Sequence, residues 1–206
     1  MIVDIRDYTM VPGGRAKMLE RFHGIFMDEQ ERLGAKMLGI FLDADDDSKA
    51  LWLRAMPDLD TRKRVLTQFY AEGEMWKANR DEVNSWFIDT DNVLLVHPVG
   101  ELAAPEPQGA TTTVAMYTHL GREPLSSDAK AALSRDVPAA IAEAGARVLG
   151  TFELDRAENN YPKHPIREGE HGLVWFATFG TKPYKPLALA QVSQRRLIPT
   201  ARSRMR

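Results

Sequence analysis

Met37-Leu38-Gly39-Ile40-Phe41 and Ala50-Leu51-Trp52-Leu53-Arg54 recur later in the chain as Val148-Leu149-Gly150-Thr151-Phe152 and Leu173-Val174-Trp175-Phe176-Ala177. Each segment is short, apolar and rich in β-branched or aromatic residues, so each pair reads as the two strands of a hairpin. The offsets are 111 (149 − 38) and 123 (175 − 52), which places an insertion of 12 residues (123 − 111), at 159–170, in the later hairpin. Tyr8-Thr9 against Tyr117-Thr118 adds a third match at an offset of 109 (117 − 8). Three matches in one order are the signature of an internal duplication.

Around the earlier hairpin the pattern completes a unit. Residues Ile2–Met10 alternate, with Asp4, Arg6 and Tyr8 on one face and Val3 and Ile5 on the other, as a strand requires. Val11-Pro12-Gly13-Gly14 ends it. Met18, Leu19, Phe22, Ile25, Phe26 and Leu33 then recur at helical spacing, with Gly34 suited to the C-cap. After the hairpin and its acidic turn, Asp58 or Asp60 caps a second helix carrying Val65, Leu66, Phe69, Tyr70 and Trp76. A strand over 92–96 closes the order β-α-β-β-α-β, the split pattern of ferredoxin-like folds.

The expected fold class is therefore α+β: a tandem duplication of a ferredoxin-like βαββαβ unit forming a pseudo-dimeric α/β barrel. The expected divisions are 1–99, a linker over 100–110 that is rich in Ala, Pro and Gly, and 111–206 with its inserted loop. In the later unit Pro138 interrupts an Ala-rich helix, so a kink or break is expected there. Two four-stranded sheets joined as a barrel bury their otherwise bare faces, and the polar side of the first strand predicts an interior that is partly wet.

These residues resemble those of the NIPSNAP family. Asp4-x-Arg6-x-Tyr8-Thr9 with Pro12-Gly13, Leu38-Gly39-Ile40-Phe41, the Trp52 strand and Arg62 carry the likeness in the first half. Asn159-Asn160-Tyr161-Pro162, Pro165 to Glu170, Val174-Trp175-Phe176 and Pro199 to Ser203 carry it in the second. Two departures stand out. Asp4 replaces the usual Glu, and Thr113 and Ala115 are matched to Asp4 and Arg6 in the later copy. The resemblance implies a dimeric α/β-barrel fold, whose wider superfamily includes cofactor-free monooxygenases, isomerases and haem proteins. It brings no catalytic residue with it.

Composition narrows the function. With no cysteine, thiolate metal sites and a cysteine nucleophile are excluded. A formal net charge of −2 offers no general field for nucleic acid or anionic membrane, and neither is expected as a partner. No leader or spanning segment is recognisable, so a cytoplasmic location is expected. Phosphate-loop, dinucleotide and serine-hydrolase motifs are missing. The histidines 23, 97, 119, 164 and 171 form no close ligand pair, and no metal or cofactor is expected. His23, alone on a predicted helix, reads as a packed residue rather than a haem ligand. Asp43-x-Asp45-x-Asp47 imitates a calcium loop, but Ser48 and Arg54 stand where Gly and Glu are needed.

What remains is a small-molecule site. Arg6 and Tyr8 are the catalytic candidates: an Arg steadied by a neighbouring carboxylate presents its remaining donors to an anion, and Tyr donates a proton or hydrogen bond. An alternative is a structural ion pair that fixes strand register. Candidate binding residues are Asp4, Trp52, Arg54, Arg62, Tyr117, Tyr161, His164, Arg167, Trp175 and Arg202. The four tryptophans fit either a flat ligand's walls or plain packing. The basic tail from Arg195 to Arg206 reads as a last strand with its arginines paired to carboxylates. A largely apolar ligand in a barrel cavity, with cofactor-free oxygenation or isomerisation as its chemistry, competes with a non-catalytic scaffold that uses the outer helices. Homo-oligomerisation is left open.

Overall fold

The computed structural model describes residues 1–104 and 112–206; most of the expected linker, from 105, lies outside the described residues. The first half runs β1 (Ile2–Met10), α1 (Gly14–Arg21), a π-helical turn (Phe22–Phe26), α2 (Met27–Arg32), β2 (Lys36–Asp43), β3 (Lys49–Met56), α3 (Leu59–Leu66), a second π-helical turn (Thr67–Glu72), α4 (Glu74–Asn84), β4 (Phe87–Asp89) and β5 (Val93–Pro98). The second half runs β6 (Val114–Gly121), α5 (Ser127–Glu143), β7 (Arg147–Leu154), β8 (His171–Thr178) and β9 (Ser193–Pro199). Local chemistry sets these boundaries. Gly13 takes φ +76° at the start of α1, and the Asp58 carboxylate accepts from the Thr61 amide at 2.7 Å to cap α3.

Eight strands close into one antiparallel barrel in the order β3-β2-β9-β6-β8-β7-β5-β1, with β1 pairing back to β3 and short β4 added beside β1. The seams β2–β9 and β5–β7 join the halves. All eight strands send one face inward, among them Val3, Ile5, Phe41, Leu53, Val96, Val114, Phe152, Phe176 and Leu197. That interior is tightly filled and apolar. The expectation of a wet barrel interior is therefore corrected: the alternation in β1 was right, but Asp4, Arg6 and Tyr8 occupy its outer face, beneath the helices. Eight strands enclose a space that side chains fill.

Several finer expectations change as well. Helix α5 is continuous through Pro138; the carbonyl that Pro138 cannot bond belongs to exposed Ser134, which water can satisfy. Among the described residues the later half has no second helix. Phe179, Tyr184, Leu187, Leu189 and Val192, on an irregular segment between β8 and β9, pack in its place beside α5. The start of the expected linker is bound down, since Leu102 and Ala103 pack on the barrel core and the Ala103 amide donates to Leu149. As expected of the basic tail, Arg195 pairs with Asp7 and Asp43, Arg196 with Asp45 and Arg204 with Glu31.

Backbone register corrects the matching of the halves. Arg6 lies opposite Trp52 on β3, whereas Tyr117 lies opposite Trp175 on β8. The bulge between Met37 and Gly39 recurs between Val148 and Gly150. Tyr117 thus stands in the place of Arg6, an offset of 111 (117 − 6), equal to that of the following strand. Ala115 and Ala177 then stand where Asp4 and Arg54 stand in the first half.

Candidate functional site

Outside the barrel, between β1 and β3 on one side and the helices of the first half on the other, is a cavity of about 250 Å³. Its walls are aromatic: Phe22, Phe26, Trp52, Phe69, Trp76, Trp86 and Phe87. The rings brace one another, Tyr8 against Trp52 edge-on at 4.5 Å and Phe26 against Phe69 at 5.6 Å between centroids. Both π-helical turns lie here and supply Phe22, Phe26, Phe69 and Tyr70. Arg21, Asn84 and Lys163 line the solvent-facing side.

One end is polar, and strand register builds it. Asp4 sits directly opposite Arg54 across the β1–β3 ladder. The Asp4 carboxylate accepts from Arg54 at 2.7 Å and from Arg62 Nε at 2.8 Å, with Arg6 Nη1 at 3.7 Å. All four residues are fully buried. Arg54 also donates to Gln30 Oε1 at 2.6 Å. Three guanidinium groups share one carboxylate, a net charge of +2 (3 − 1). Burial alone would raise the Asp4 pKa; the charges of Arg54, Arg62 and Arg6 outweigh it and hold the carboxyl far below its usual range.

Arg6 Nε donates to the Tyr8 hydroxyl at 2.8 Å, Nη2 contacts the same oxygen, and Nη2 also lies 3.3 Å from His164 Nδ1. Arginine only donates, so His164 Nδ1 accepts and the ring proton belongs on Nε2. Burial, then the charges of Arg6 and Arg54, push the His164 pKa down to about 2, so the ring is neutral. Burial raises the Tyr8 pKa despite Arg6, and the phenol keeps its proton. Among the described residues no group accepts that proton.

His164 arrives on the inserted loop of the second half, between β7 and β8. Arg62 Nη1 donates to Asn159 and Asn160 at 3.1 and 2.9 Å, and the Arg167 amide donates to the Val93 carbonyl at 2.8 Å. The His164 ring packs against Tyr70 at 3.9 Å and Tyr161 at 5.6 Å. The ionic cluster therefore holds down the loop that completes the cavity.

Of the residues singled out by sequence, Arg6, Tyr8, Trp52 and His164 line the cavity, while Asp4, Arg54 and Arg62 form the network behind it. Tyr161 supports His164 without lining the space. Four others lie elsewhere. Tyr117 and Trp175 are buried in the later half with α5, Arg167 pairs with Glu170, and Arg202 pairs with Asp28 and donates to the His23 carbonyl. Sequence reading missed Gln30 and Tyr70 as polar members. Gln30 had a signal: it continues the four-residue spacing Met18, Phe22, Phe26 yet is polar, and it is almost wholly buried. Among the described residues no His, Asp or Glu cluster is arranged to hold a metal ion. No described helix is long and apolar enough to cross a membrane.

Residues 3–100, just under half of the chain, match the NIPSNAP family model. A search of curated proteins finds no match. Among solved structures, a provisionally assigned monooxygenase from Fusobacterium nucleatum is 10% identical and superposes with a TM-score of 0.58, covering 96% of this chain and 91% of that one. A provisionally assigned monooxygenase from Lactobacillus acidophilus is 11% identical, with a TM-score of 0.53 over 96% of this chain and 93% of its own. An anthrone oxidase-like protein is 12% identical, with a TM-score of 0.54 over 97% and 91%. At these identities the likeness is one of fold: the closed antiparallel α/β barrel.

Proposed function

We propose that this chain, whose residues 3–100 match the NIPSNAP family model, binds a small aromatic molecule in the cavity between β1, β3 and the helices, with an oxygen of the ligand at Tyr8 and His164. One observation carries the reading: an aromatic-walled space of about 250 Å³ ends on a buried cluster with an uncompensated charge of +2. Buried charge without a counter-ion is costly, and an electron-rich ligand oxygen offsets that cost. The volume lies somewhat below the ~300–1,000 Å³ of drug-sized sites, which suits one or two fused rings.

The chemistry that accords with the fold neighbours is oxygenation by dioxygen without a cofactor, and this part rests on analogy of fold. Arg6 and Tyr8 would stabilise negative charge on the ligand oxygen, while the aromatic walls exclude water. The scaffold alternative has less support, because the large exposed apolar residues Met1, Ile88, Val99 and Ile198 are few.

The test is a panel of one- and two-ring aromatics followed by quenching of tryptophan fluorescence, since Trp52, Trp76 and Trp86 line the space. Saturable quenching that weakens in Trp52→Ala and persists in full in Trp175→Phe supports the reading. Quenching that survives Trp52→Ala unchanged overturns it. Oxygen consumption with each binder then tests the reaction class.

A further inference from the structure

Resting on that cavity reading, we infer that the site selects a one-oxygen acid, a phenol or enol held as its oxyanion, over a carboxylate on the same ring. Two features of the polar end carry this. The first is that every free polar group there is a donor. Tyr8 keeps its O–H proton, His164 its Nε2 proton, and Gln30 its amide hydrogens once its oxygen has accepted from Arg54. None of these protons has an acceptor among the described residues. An oxyanion uses such donors fully, whereas a neutral acid brings another donor and leaves it unpaired.

The second feature is how Arg6 is spent. Nε and Nη2 form the planar fork with which arginine grips a carboxylate through two parallel bonds. Here both prongs fall on the single Tyr8 oxygen, and Nη1 faces Asp4. No fork is left for a second ligand oxygen. What faces the cavity is the Tyr8 proton, polarised by the guanidinium behind it, beside the His164 ring that shares Arg6 Nη2. One ligand oxygen takes the Tyr8 proton without needing a fork; a carboxylate at the same place finds no free arginine fork for its two oxygens. The positive charge of the cluster lies behind these donors and favours the ionised form of whatever acid binds.

The experiment uses the full chain with 4-nitrophenol and 4-nitrobenzoate, which share a ring, at a pH where both are anions in water. Expected is a preference for the phenolate of about tenfold or more, the scale of one charge-assisted hydrogen bond. The visible phenolate band should also persist in the complex about one pH unit or more below the free probe's midpoint. Tyr8→Phe should abolish the preference and leave nitrobenzoate affinity unchanged; its thermal unfolding is checked against the parent. If that variant fails to fold, His164→Leu removes the other donor without altering the barrel and should weaken the phenolate alone. Equal or tighter binding of nitrobenzoate, or a bound nitrophenol that titrates at or above its free midpoint, overturns the inference and leaves the cavity reading standing. If neither probe quenches the tryptophans, the cavity reading falls with it.

Discussion

Asp4→Asn is the substitution with the largest expected consequence. The side chain is fully buried and is, among the described residues, the only carboxylate touching Arg6, Arg54 and Arg62. Asparagine keeps the shape but removes the charge, so the cluster rises from +2 (3 − 1) to +3, and an amide N–H must face a guanidinium donor. Breaking a buried ion pair from one side costs about 3–5 kcal/mol. For a chain of this size 1 kcal/mol shifts the unfolding midpoint by roughly 2–4 °C, so a fall of about 6–20 °C is expected. Arg6→Met should cost less: it loses the looser 3.7 Å contact with Asp4 and the donors to Tyr8 and His164, but it lowers the buried charge to +1 (2 − 1) instead of raising it. The sign with pH follows from the depressed carboxyl. Its contribution is complete above the ordinary value of 3.8 and is lost as pH falls toward the lower folded value. Parent and Asp4→Asn should therefore converge in acid. Thermal and urea unfolding over a pH series measure both effects. A fall of less than about 2 °C at neutral pH, or an Arg6→Met cost equal to that of Asp4→Asn, would refute the charge count.

His164→Gln should flatten the acid limb of the stability curve. The folded imidazole resists protonation down to about 2 while the unfolded one titrates near 6.5, so the parent loses about 1.4 kcal/mol per pH unit below that point and the variant does not. Urea midpoints measured from neutral pH downward check this. Replacing both Asn159 and Asn160 by Ala leaves a buried Arg62 donor unpaired; a loss of about 1–3 kcal/mol is expected, with faster amide exchange confined to the loop around His164. Gly39→Ala should cost roughly 1–3 kcal/mol, because a Cβ there would lie 2.3 Å from the buried Phe41 ring. Tyr117→Phe should be neutral or stabilising within about 1 kcal/mol, since the buried Tyr117 hydroxyl has no hydrogen-bond partner among the described residues; calorimetry decides.

Much of this arrangement was legible in the chain. The hairpin motifs carry the barrel, and the two faces of β1 separate cleanly by alternation. What alternation cannot tell is which face looks inward, because a period of two distinguishes faces without assigning them. Polar Asp4, Arg6 and Tyr8 suggested a wet interior; the helices cover that face instead, and the barrel fills with Val3 and Ile5. Identity also misled at Tyr117. The Tyr-Thr pair invited a match to Tyr8, while hydrogen-bond register sets Tyr117 at the place of Arg6. His164, Asn159 and Asn160 drew notice as members of a long loop, but their link to Arg62 spans 97 and 98 residues and belongs to tertiary structure alone.

The unequal halves have a consequence for stoichiometry. A barrel closed by two identical units would offer two equivalent binding places related by a two-fold axis, and occupancy of one could influence the other. In this chain Ala115, Tyr117 and Ala177 occupy the second place, and α5 with the segment after β8 packs over it. Titration should saturate at one ligand per chain, with a simple hyperbolic isotherm. The second half acts as a buttress that also lends a loop, and its residues beneath α5 are free to vary as long as they fill space.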